Sequence, residues 1–255
     1  MFSESGAHCQ EQCSRLCHTS RMERKTAGGI RARVRAEMID EIKAAARRHL
    51  ATDGANLSLR AIARELGMVS SALYRYFGSR DELLTALIVD AYNDMGEAAE
   101  SADRAITDRT DTRARWLAVS HALRTWTLAN PAEYGLLYGT PVPGYVAPTD
   151  TLSPATRPVR VLGKILAEAG PLQSLDSASN STLSPALSDE IRQIAAATAP
   201  GVGDAAMARG LIAWTLLFGA LSFELFGRIN NTINEREEWF THQVTEMATY
   251  IGLPR

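Results

Sequence analysis

One short run of the chain, GMVSSALYRYFGSR over residues 67–80, combines hydroxyl, phenol and guanidinium groups within a few positions. Val69, Leu73 and Phe77 recur at intervals of four, which predicts a short helix with one apolar, inward-facing stripe. The outward face of that helix then carries Ser70, Ser71, Tyr74 and Arg75. These side chains donate hydrogen bonds and one is positively charged, so the face suits an anionic partner rich in acceptor atoms.

A second short helix precedes this run. Ser58 is a suitable N-cap, Leu59 and Ile62 share an apolar face, and Gly67 ends the helix. Two short helices joined by a glycine-containing turn form a helix-turn-helix, whose second helix lies in the major groove of DNA. Serine hydroxyls there can bond to several bases, and the methyl group of Ala72 can contact a thymine methyl group.

Contacts to the DNA backbone are expected around this recognition helix, because hydroxyl groups, guanidinium groups and helix N-termini bind phosphate oxygens. Arginines that precede the first short helix can reach phosphate or the minor groove. The predicted DNA-binding set is Arg31, Arg33, Arg35, Ser58, Arg60, Ser70, Ser71, Ala72, Tyr74, Arg75, Tyr76 and Arg80. The alternative for these residues is a solvated polar face on a small helical subdomain.

The distribution of charge favours a polyanionic partner for the N-terminal part. Residues 1–80 contain 14 Lys and Arg against 8 Asp and Glu, a net charge of +6. Residues 81–255 contain 13 against 21, a net charge of −8, and the whole-chain value of −2 hides this asymmetry. A basic segment on an acidic remainder indicates contact with nucleic acid.

Helical periodicity, without β-type alternation, predicts an all-α fold. We expect an unstructured extension over residues 1–29, a helix-turn-helix domain over 30–78, and a larger helical ligand-binding and dimerisation domain over 79–255. The helix-turn-helix domain opens with a helix over Arg31–Ala51. A helix that begins at Ser79 opens the larger domain, whose other predicted helices are Thr112–Ala129, Pro131–Tyr138, Ala155–Ala169, Ser184–Ala199, Asp204–Ile229 and Glu235–Gly252.

The cysteines indicate a reducing environment. All three lie in the first 17 residues, so no disulfide framework supports the rest of the chain, and a cytoplasmic location is expected. A zinc site is conceivable there, but the cysteine spacing lacks the usual Cys-x-x-Cys pair. We expect neither a metal nor a cofactor. The residues of that conceivable site are His8, Cys9, Cys13, Cys17 and His18.

One apolar run could be mistaken for a membrane span. Leu211–Gly227 is 17 residues long and contains Glu224. A span needs about 20 apolar residues, so a buried helix is favoured and no membrane partner is expected.

The segment LSLRAIARELGMVSSALYRYFGSRDELLTALI resembles the N-terminal domain of TetR-family transcriptional regulators, with IARELG, ALYRYF and SRDELL in order. The resemblance covers about residues 31–95. It implies a three-helix DNA-binding domain, a larger helical ligand domain and a homodimer. Two positions depart from the family's pattern: Val69 stands where many members have a capping Ser or Thr, and Gly78 stands where proline is common.

The C-terminal part is similar to a TetR subgroup with a Trp-x-x-x-His-Gly pattern, in which Trp214 and Gly219 match and Phe218 replaces histidine. In this family the last two long helices of each subunit usually pair as a four-helix bundle; a monomeric core is the alternative. The predicted dimerisation residues are Trp214, Phe218, Leu221, Leu225, Phe240, Val244 and Met247. The candidate ligand-lining residues, each of which could be plain core, are Trp116, His121, Trp126, Tyr134 and Tyr138.

The sequence therefore predicts a ligand-responsive, sequence-specific DNA-binding regulator. The expected form is a homodimeric repressor that an unidentified small molecule releases from a near-palindromic double-stranded operator. An activator of the same fold is the alternative, followed by an all-helical sensor or enzyme that does not act on DNA. No convergent nucleophile, base and orienting group is recognisable, so we expect no enzyme.

Overall fold

The computed structural model describes residues 7–54, 56–169 and 183–254, and their side chains from residue 29 onward. Within these ranges all regular structure is helical and no strand occurs, which confirms the all-α prediction. A short 3₁₀ helix, Thr149–Thr151, precedes α7. The α-helices are α1 Ala7–Asp53, α2 Leu59–Glu65, α3 Ser70–Leu73, α4 Arg80–Ala105, α5 Thr112–Ala129, α6 Pro131–Tyr138, α7 Leu152–Glu168, α8 Pro185–Thr198, α9 Asp204–Leu225 and α10 Arg236–Ile251.

The chain divides into two compact units. The first, here called the head, contains the chain up to His49 together with Leu57–Arg80. The second, here called the body, contains Leu50–Asn56 and the chain from Asp81 onward.

The first helix is longer than the sequence predicted. α1 begins at Ala7 rather than at Arg31, so it includes residues 7–29, which the sequence analysis expected to be unstructured. The segment contains no proline and is rich in Gln, Glu, Arg and Lys, which have good helix propensity, and Gly28 and Gly29 are accommodated within the helix. The Cys and His side chains of the conceivable zinc site lie outside the described side chains.

The head core is built from α1, α2 and the α3 segment. Ile42 of α1, Ile62 of α2 and Leu73 of α3 are fully buried, and Phe77 is nearly so. Two side chains of α1 also contact the carboxylate of Glu65 in α2. Arg48 donates from Nε to Glu65 Oε1 over 2.9 Å, and His49 Nε2 lies 2.8 Å from Glu65 Oε2. The hydrogen bond from Arg48 holds the pKa of Glu65 below its usual range. These contacts orient α2 within the head.

The body is a helical bundle around one apolar core. α9 packs against α10, α8, α5 and α7, and α10 also packs against α5. The core includes Leu123 of α5, Ile165 of α7, Leu217 of α9 and Val244 of α10, all fully buried. By length and composition alone, α9 is the single helix of the described ranges that could cross a membrane, but a core helix of a soluble protein passes the same test. A single such helix is weak evidence of a membrane span, and α9 packs against four other helices of the body.

A buried arginine joins three parts of the body. Arg115 of α5 is fully buried; its Nε donates to Asp103 of α4 over 2.7 Å, and its Nη1 lies 2.7 Å from Glu168 of α7. Arg109 also donates to Asp103, over 2.6 Å. Burial alone would raise the pKa of Asp103, but the hydrogen bonds from Arg115 and Arg109 outweigh burial and hold that pKa low. Asp103 is therefore the charged centre of a buried network.

Candidate functional site

The turn between α2 and α3 is closed by a glycine in the left-handed conformation. Gly67 has φ of +65°, a value that side chains with a Cβ rarely adopt. The amide of Met68 bonds to Ala63 O over 2.8 Å, and the amide of Gly67 bonds to Arg64 O over 3.2 Å. This pair of bonds is a Schellman motif, which ends α2 and redirects the chain into α3. At the other end of α2, Ser58 Oγ accepts from the Ala61 amide over 3.3 Å, which confirms the predicted N-cap.

The recognition helix is shorter than the sequence predicted, and one of its residues faces the other way. α3 spans only Ser70–Leu73, and Val69 is its N-cap, with extended backbone and no side-chain capping bond. Val69 is 70% exposed, so its assignment to the buried stripe is corrected. The helical spacing of four does not extend to Val69 because that residue precedes the helix. Leu73 and Phe77 are buried as predicted.

The predicted outward face is largely presented to solvent. Ser71, Tyr74 and Arg75 are exposed, whereas Ser70 is half-buried. Ala72 and Tyr76 are also half-buried. The exposed group places hydroxyl, phenol and guanidinium donors side by side on one surface, as contact with base edges and phosphates requires.

The predicted arginines of α1 differ from one another in their surroundings. Arg35 donates from Nη2 to the carbonyl oxygen of Arg75 over 3.2 Å, and its guanidinium carbon lies 5.0 Å from the centre of the Tyr76 ring. Arg35 therefore positions the end of the recognition segment. Arg31 and Arg33 are exposed, and Arg33 pairs with Glu37 across one helical turn at 3.4 Å.

The remaining predicted DNA contacts converge on one surface of the head. An open concavity brings together the start of α2, the end of the recognition segment and the start of α4. The helix N-terminus of α4, two guanidinium groups and a phenol meet there, which is a favourable environment for a phosphate group. Its lining residues are Ser58, Leu59, Arg60, Tyr74, Gly78, Ser79 and Arg80.

The body contains an apolar cavity of about 30 Å³, lined by residues of α5, α7, α8, α9, α10 and the segment that follows α10. Of the five ligand-lining residues predicted from sequence, Trp116 lines this cavity. The lining residues are Trp116, Val159, Leu162, Gly163, Ile165, Leu166, Thr198, Met207, Gly210, Leu211, Trp214, Ile251 and Leu253.

Comparison with known proteins matches both units. A family described as bacterial regulatory proteins, tetR family, matches residues 42–87, which include the helix-turn-helix. A family described as tetracyclin repressor-like, C-terminal domain, matches residues 116–247. The HTH-type transcriptional regulators Rv1816 of Mycobacterium tuberculosis and Mb1846 of Mycobacterium bovis are each 42% identical over 223 residues, 84% of this chain and 88% of theirs.

The chain belongs to the TetR family of transcriptional regulators. Solved structures agree with this assignment. The regulatory protein SCO4313 is 32% identical, with a TM-score of 0.71, and the match covers 86% of this chain and 98% of that one. The TetR-family regulator PfmR from Thermus thermophilus shares the fold, with a TM-score of 0.54 at 16% identity, over 84% of this chain and 99% of that one.

Four of the predicted ligand-lining residues of this TetR-family body lie away from the cavity. Tyr134 is fully buried, and its hydroxyl lies 2.8 Å from Ser222 Oγ. Tyr138 packs against Phe218, and burial raises the pKa of its phenol. Trp126 packs against the core, and His121 lies edge-on to Phe240. Burial of His121 lowers the pKa of its imidazole. Tyr134 is part of the core and the other three are half-buried, so their role in ligand binding stays a prediction from the sequence.

Most of the predicted dimerisation residues also have other positions in this TetR-family chain. Five of them are buried within the chain's own core and leave little surface for a partner: Phe218, Leu221, Phe240, Val244 and Met247. Leu225 packs at the margin of that core, and Trp214 lines the cavity. α9 is apolar on two faces, and the α9 residues that the sequence analysis named lie mainly on the inner one.

The outer face of α9 carries large apolar side chains that the sequence analysis missed. Ile212 is 46% exposed, Leu216 51% and Phe223 57%. Gly219 lies between them, and a Cβ there would meet open space. Trp239 of α10 is also exposed and lies against the ring of His242. The spacing 212, 216, 219 and 223 is itself helical, so this second stripe was present in the sequence as a signal.

Proposed function

We propose that this TetR-family regulator is a repressor that binds a near-palindromic operator as a homodimer and is released by a small molecule. The observation that carries the proposal is the exposed donor surface of Ser71, Tyr74 and Arg75, on a helix-turn-helix whose turn is fixed by Gly67. Two such surfaces in a dimer would lie in successive major grooves, about 34–36 Å apart. A regulator of this kind acts where the DNA is, and we place it in the cytoplasm.

The exposed stripe of α9 supports the dimer. Ile212, Leu216 and Phe223 are close to half exposed, and contiguous apolar patches of this kind mark contact surfaces. Pairing of this stripe and Trp239 with the same surface of a second copy would be isologous, the commonest arrangement of a homodimer.

The cavity and the contacts of α7 support release by a ligand. Val159 and Leu162 of α7 line the cavity, and Arg157 on the same helix forms hydrogen bonds to α4. Arg157 donates to both carboxylate oxygens of Glu100, over 2.9 and 2.8 Å, and to Asn93 Oδ1 over 3.0 Å. α4 begins at Arg80, directly after the recognition segment. A ligand that displaces α7 would therefore act on the helix that continues the head, and linkage would lower operator affinity.

The first experiment measures binding to a labelled duplex from the gene's own upstream region by fluorescence anisotropy across a salt series. We expect tight, competitor-resistant binding that weakens steeply with salt, because basic side chains displace counterions from phosphate. The proposal would be contradicted if the protein bound this duplex, and also a pool of genomic fragments, no more tightly than random DNA.

A second experiment tests the path from cavity to head. Arg157→Gln removes the paired hydrogen bonds to Glu100 and leaves the cavity lining intact. We expect a variant that still binds operator and ligand, but whose operator affinity changes several-fold less on ligand addition than that of the wild type. Full release of the variant by ligand would show that α7 does not act through Arg157.

A further inference from the structure

Two tryptophans line the body cavity, and their indole N–H groups differ. Trp116 Nε1 donates to the carbonyl oxygen of Val244 over 2.9 Å. Trp214 Nε1 is buried, yet it has no hydrogen-bond partner among the described residues. The lining of one cavity thus includes one tryptophan whose indole N–H is satisfied and one whose indole N–H is not.

An unsatisfied buried donor calls for an explanation, because leaving it unpaired forfeits a hydrogen bond that water would supply in the unfolded chain. A trapped water molecule would need two to four polar partners, and the side chains that line the cavity offer few. Among the lining side chains, polar nitrogen or oxygen occurs only in Trp116, Thr198 and Trp214. Thr198 donates to Ile194 O over 2.8 Å and keeps only its acceptor capacity, and the indole N–H of Trp116 is occupied.

The rest of the lining determines which acceptor could bind. The described residues that enclose the cavity include no charged side chain, so a carboxylate, phosphate or ammonium group would be buried without a counter-ion. An acceptor oxygen that is neutral, such as that of a ketone, ester or ether, can bond to the indole without this cost.

The dimensions of the cavity also restrict the ligand. Its volume of about 30 Å³ is close to that of a single small group, so a ligand must displace side chains as it enters. The walls approach closely: a Cβ at Gly210 would lie 2.9 Å from Leu166 Cδ2. The end of a leucine side chain can rotate, so the space beside Gly210 can enlarge without backbone movement. This favours a small or flat molecule over a bulky one.

We propose that the cavity binds a small, uncharged and mainly apolar molecule whose single acceptor oxygen bonds to Trp214 Nε1–H. This ligand class rests on the proposed function of the body as the sensor of a TetR-family repressor. It assigns Trp214 to ligand recognition, whereas the sequence analysis assigned it to dimerisation. Trp116, in the same cavity, contributes apolar surface only.

The test uses the full-length chain and three probes of similar size: acetophenone, which has a neutral acceptor; ethylbenzene, which has none; and benzoate, which is charged. Affinities are measured by calorimetry for the wild type, for Trp214→Phe and for the matched control Trp116→Phe. Both substitutions keep an aromatic ring and remove one indole N–H. Circular dichroism establishes that each variant is folded.

We expect the wild type to bind acetophenone and ethylbenzene, and to bind benzoate at least tenfold more weakly than acetophenone. Trp214→Phe should weaken acetophenone binding about three- to tenfold relative to its effect on ethylbenzene binding, because only the ketone loses a hydrogen bond. Trp116→Phe should change the two affinities by the same factor.

Three results would overturn the proposal: preferred binding of benzoate, equal effects of Trp214→Phe on the ketone and the hydrocarbon, or no binding of any probe to the wild type. If Trp214→Phe instead changes the dimer mass in light scattering and leaves acetophenone affinity unchanged, the indole serves subunit pairing. Operator binding is measured separately by anisotropy. A wild-type protein that binds its operator but no probe would refute the ligand class and leave the proposed repressor intact.

Discussion

The head and the body of this regulator carry their functional residues in opposite environments. In the head the candidate contacts, Ser71, Tyr74 and Arg75, are exposed on a surface that a short turn holds in place. In the body the candidate ligand contact, Trp214, lines an apolar cavity, and the charged centre of the buried network, Asp103, is almost fully buried. Substitutions on the head surface should therefore change affinity for DNA with little effect on folding, whereas substitutions in the body should change stability first.

The largest effect is expected at Asp103. Asp103→Asn removes the charge that faces Arg115, which is fully buried, and Arg109. Breaking a buried ion pair from one side costs about 3–5 kcal/mol, because the remaining charge stays desolvated. Thermal unfolding followed by circular dichroism should show a fall in Tm of about 10 °C. The matched control is Asp189→Asn, which breaks an exposed pair with Arg192 and should leave Tm nearly unchanged.

The same network gives a pH dependence with a defined sign. The pKa of Asp103 is lowered in the folded chain, so its stabilising contribution is present above the ordinary carboxyl pKa of about 4 and is lost as the pH falls through the lowered value. The wild type and Asp103→Asn should therefore converge in Tm as the pH is lowered through this window. A constant difference in Tm between them would contradict the role given to the carboxylate.

The second effect concerns the outer stripe of α9. Leu216→Glu places a charge on the proposed pairing surface and should raise the dimer dissociation constant at least a hundredfold, since an isologous contact buries the residue twice. Light scattering across a dilution series measures the change. Leu187→Glu on α8 is the control, because Leu187 is similarly exposed but lies outside the stripe. If Leu216→Glu left the dimer dissociation constant unchanged, the interface would have to lie elsewhere on the body.

A smaller effect, on affinity for DNA, is expected to differ between two arginines of the head. Arg60 lines the concavity where a phosphate is expected, whereas Arg35 bonds to the carbonyl oxygen of Arg75 and lies over Tyr76. Arg60→Gln should lower operator affinity and reduce the slope of log affinity against log salt by about 1 for each head. Arg35→Gln should lower affinity with little change in slope, because its guanidinium positions protein groups. Equal slopes for the two variants would remove this distinction.

The head could be predicted from sequence because its geometry follows from local rules. Ser58 caps α2, Gly67 ends it in a left-handed turn, and Leu73 and Phe77 face inward at helical spacing. The exception, Val69, lies one residue before α3, where the helical rule no longer applies. A four-residue helix is too short to show a clear periodicity. An error of one position in its predicted start therefore assigns an exposed residue to the buried face.

The body could be predicted only as far as its helices. The bounds of α5 and α6 were predicted to the residue, and those of α7 to α10 within a few residues. Which apolar face of α9 lies inward depends on how α10, α5 and α7 pack around it, and both faces of α9 are apolar. The cavity depends on fine details of packing, such as the close approach of Gly210 to Leu166. Such details leave no periodic signal in the sequence.

The smallest effects on stability are expected at two glycines, one in each unit. Gly67 of the head has φ of +65°, so Gly67→Ala should destabilise the turn by about 1 kcal/mol, even though a Cβ there meets nothing within 4 Å. Gly135 of α6 also has open space around a Cβ but has no left-handed backbone, so Gly135→Ala should stabilise the body by about 0.5–1 kcal/mol. The cause is conformational in both cases, because neither methyl group gains or loses a contact. Denaturant unfolding should therefore give shifts of opposite sign, and shifts of the same sign would mean that packing around one of the two glycines decides the outcome.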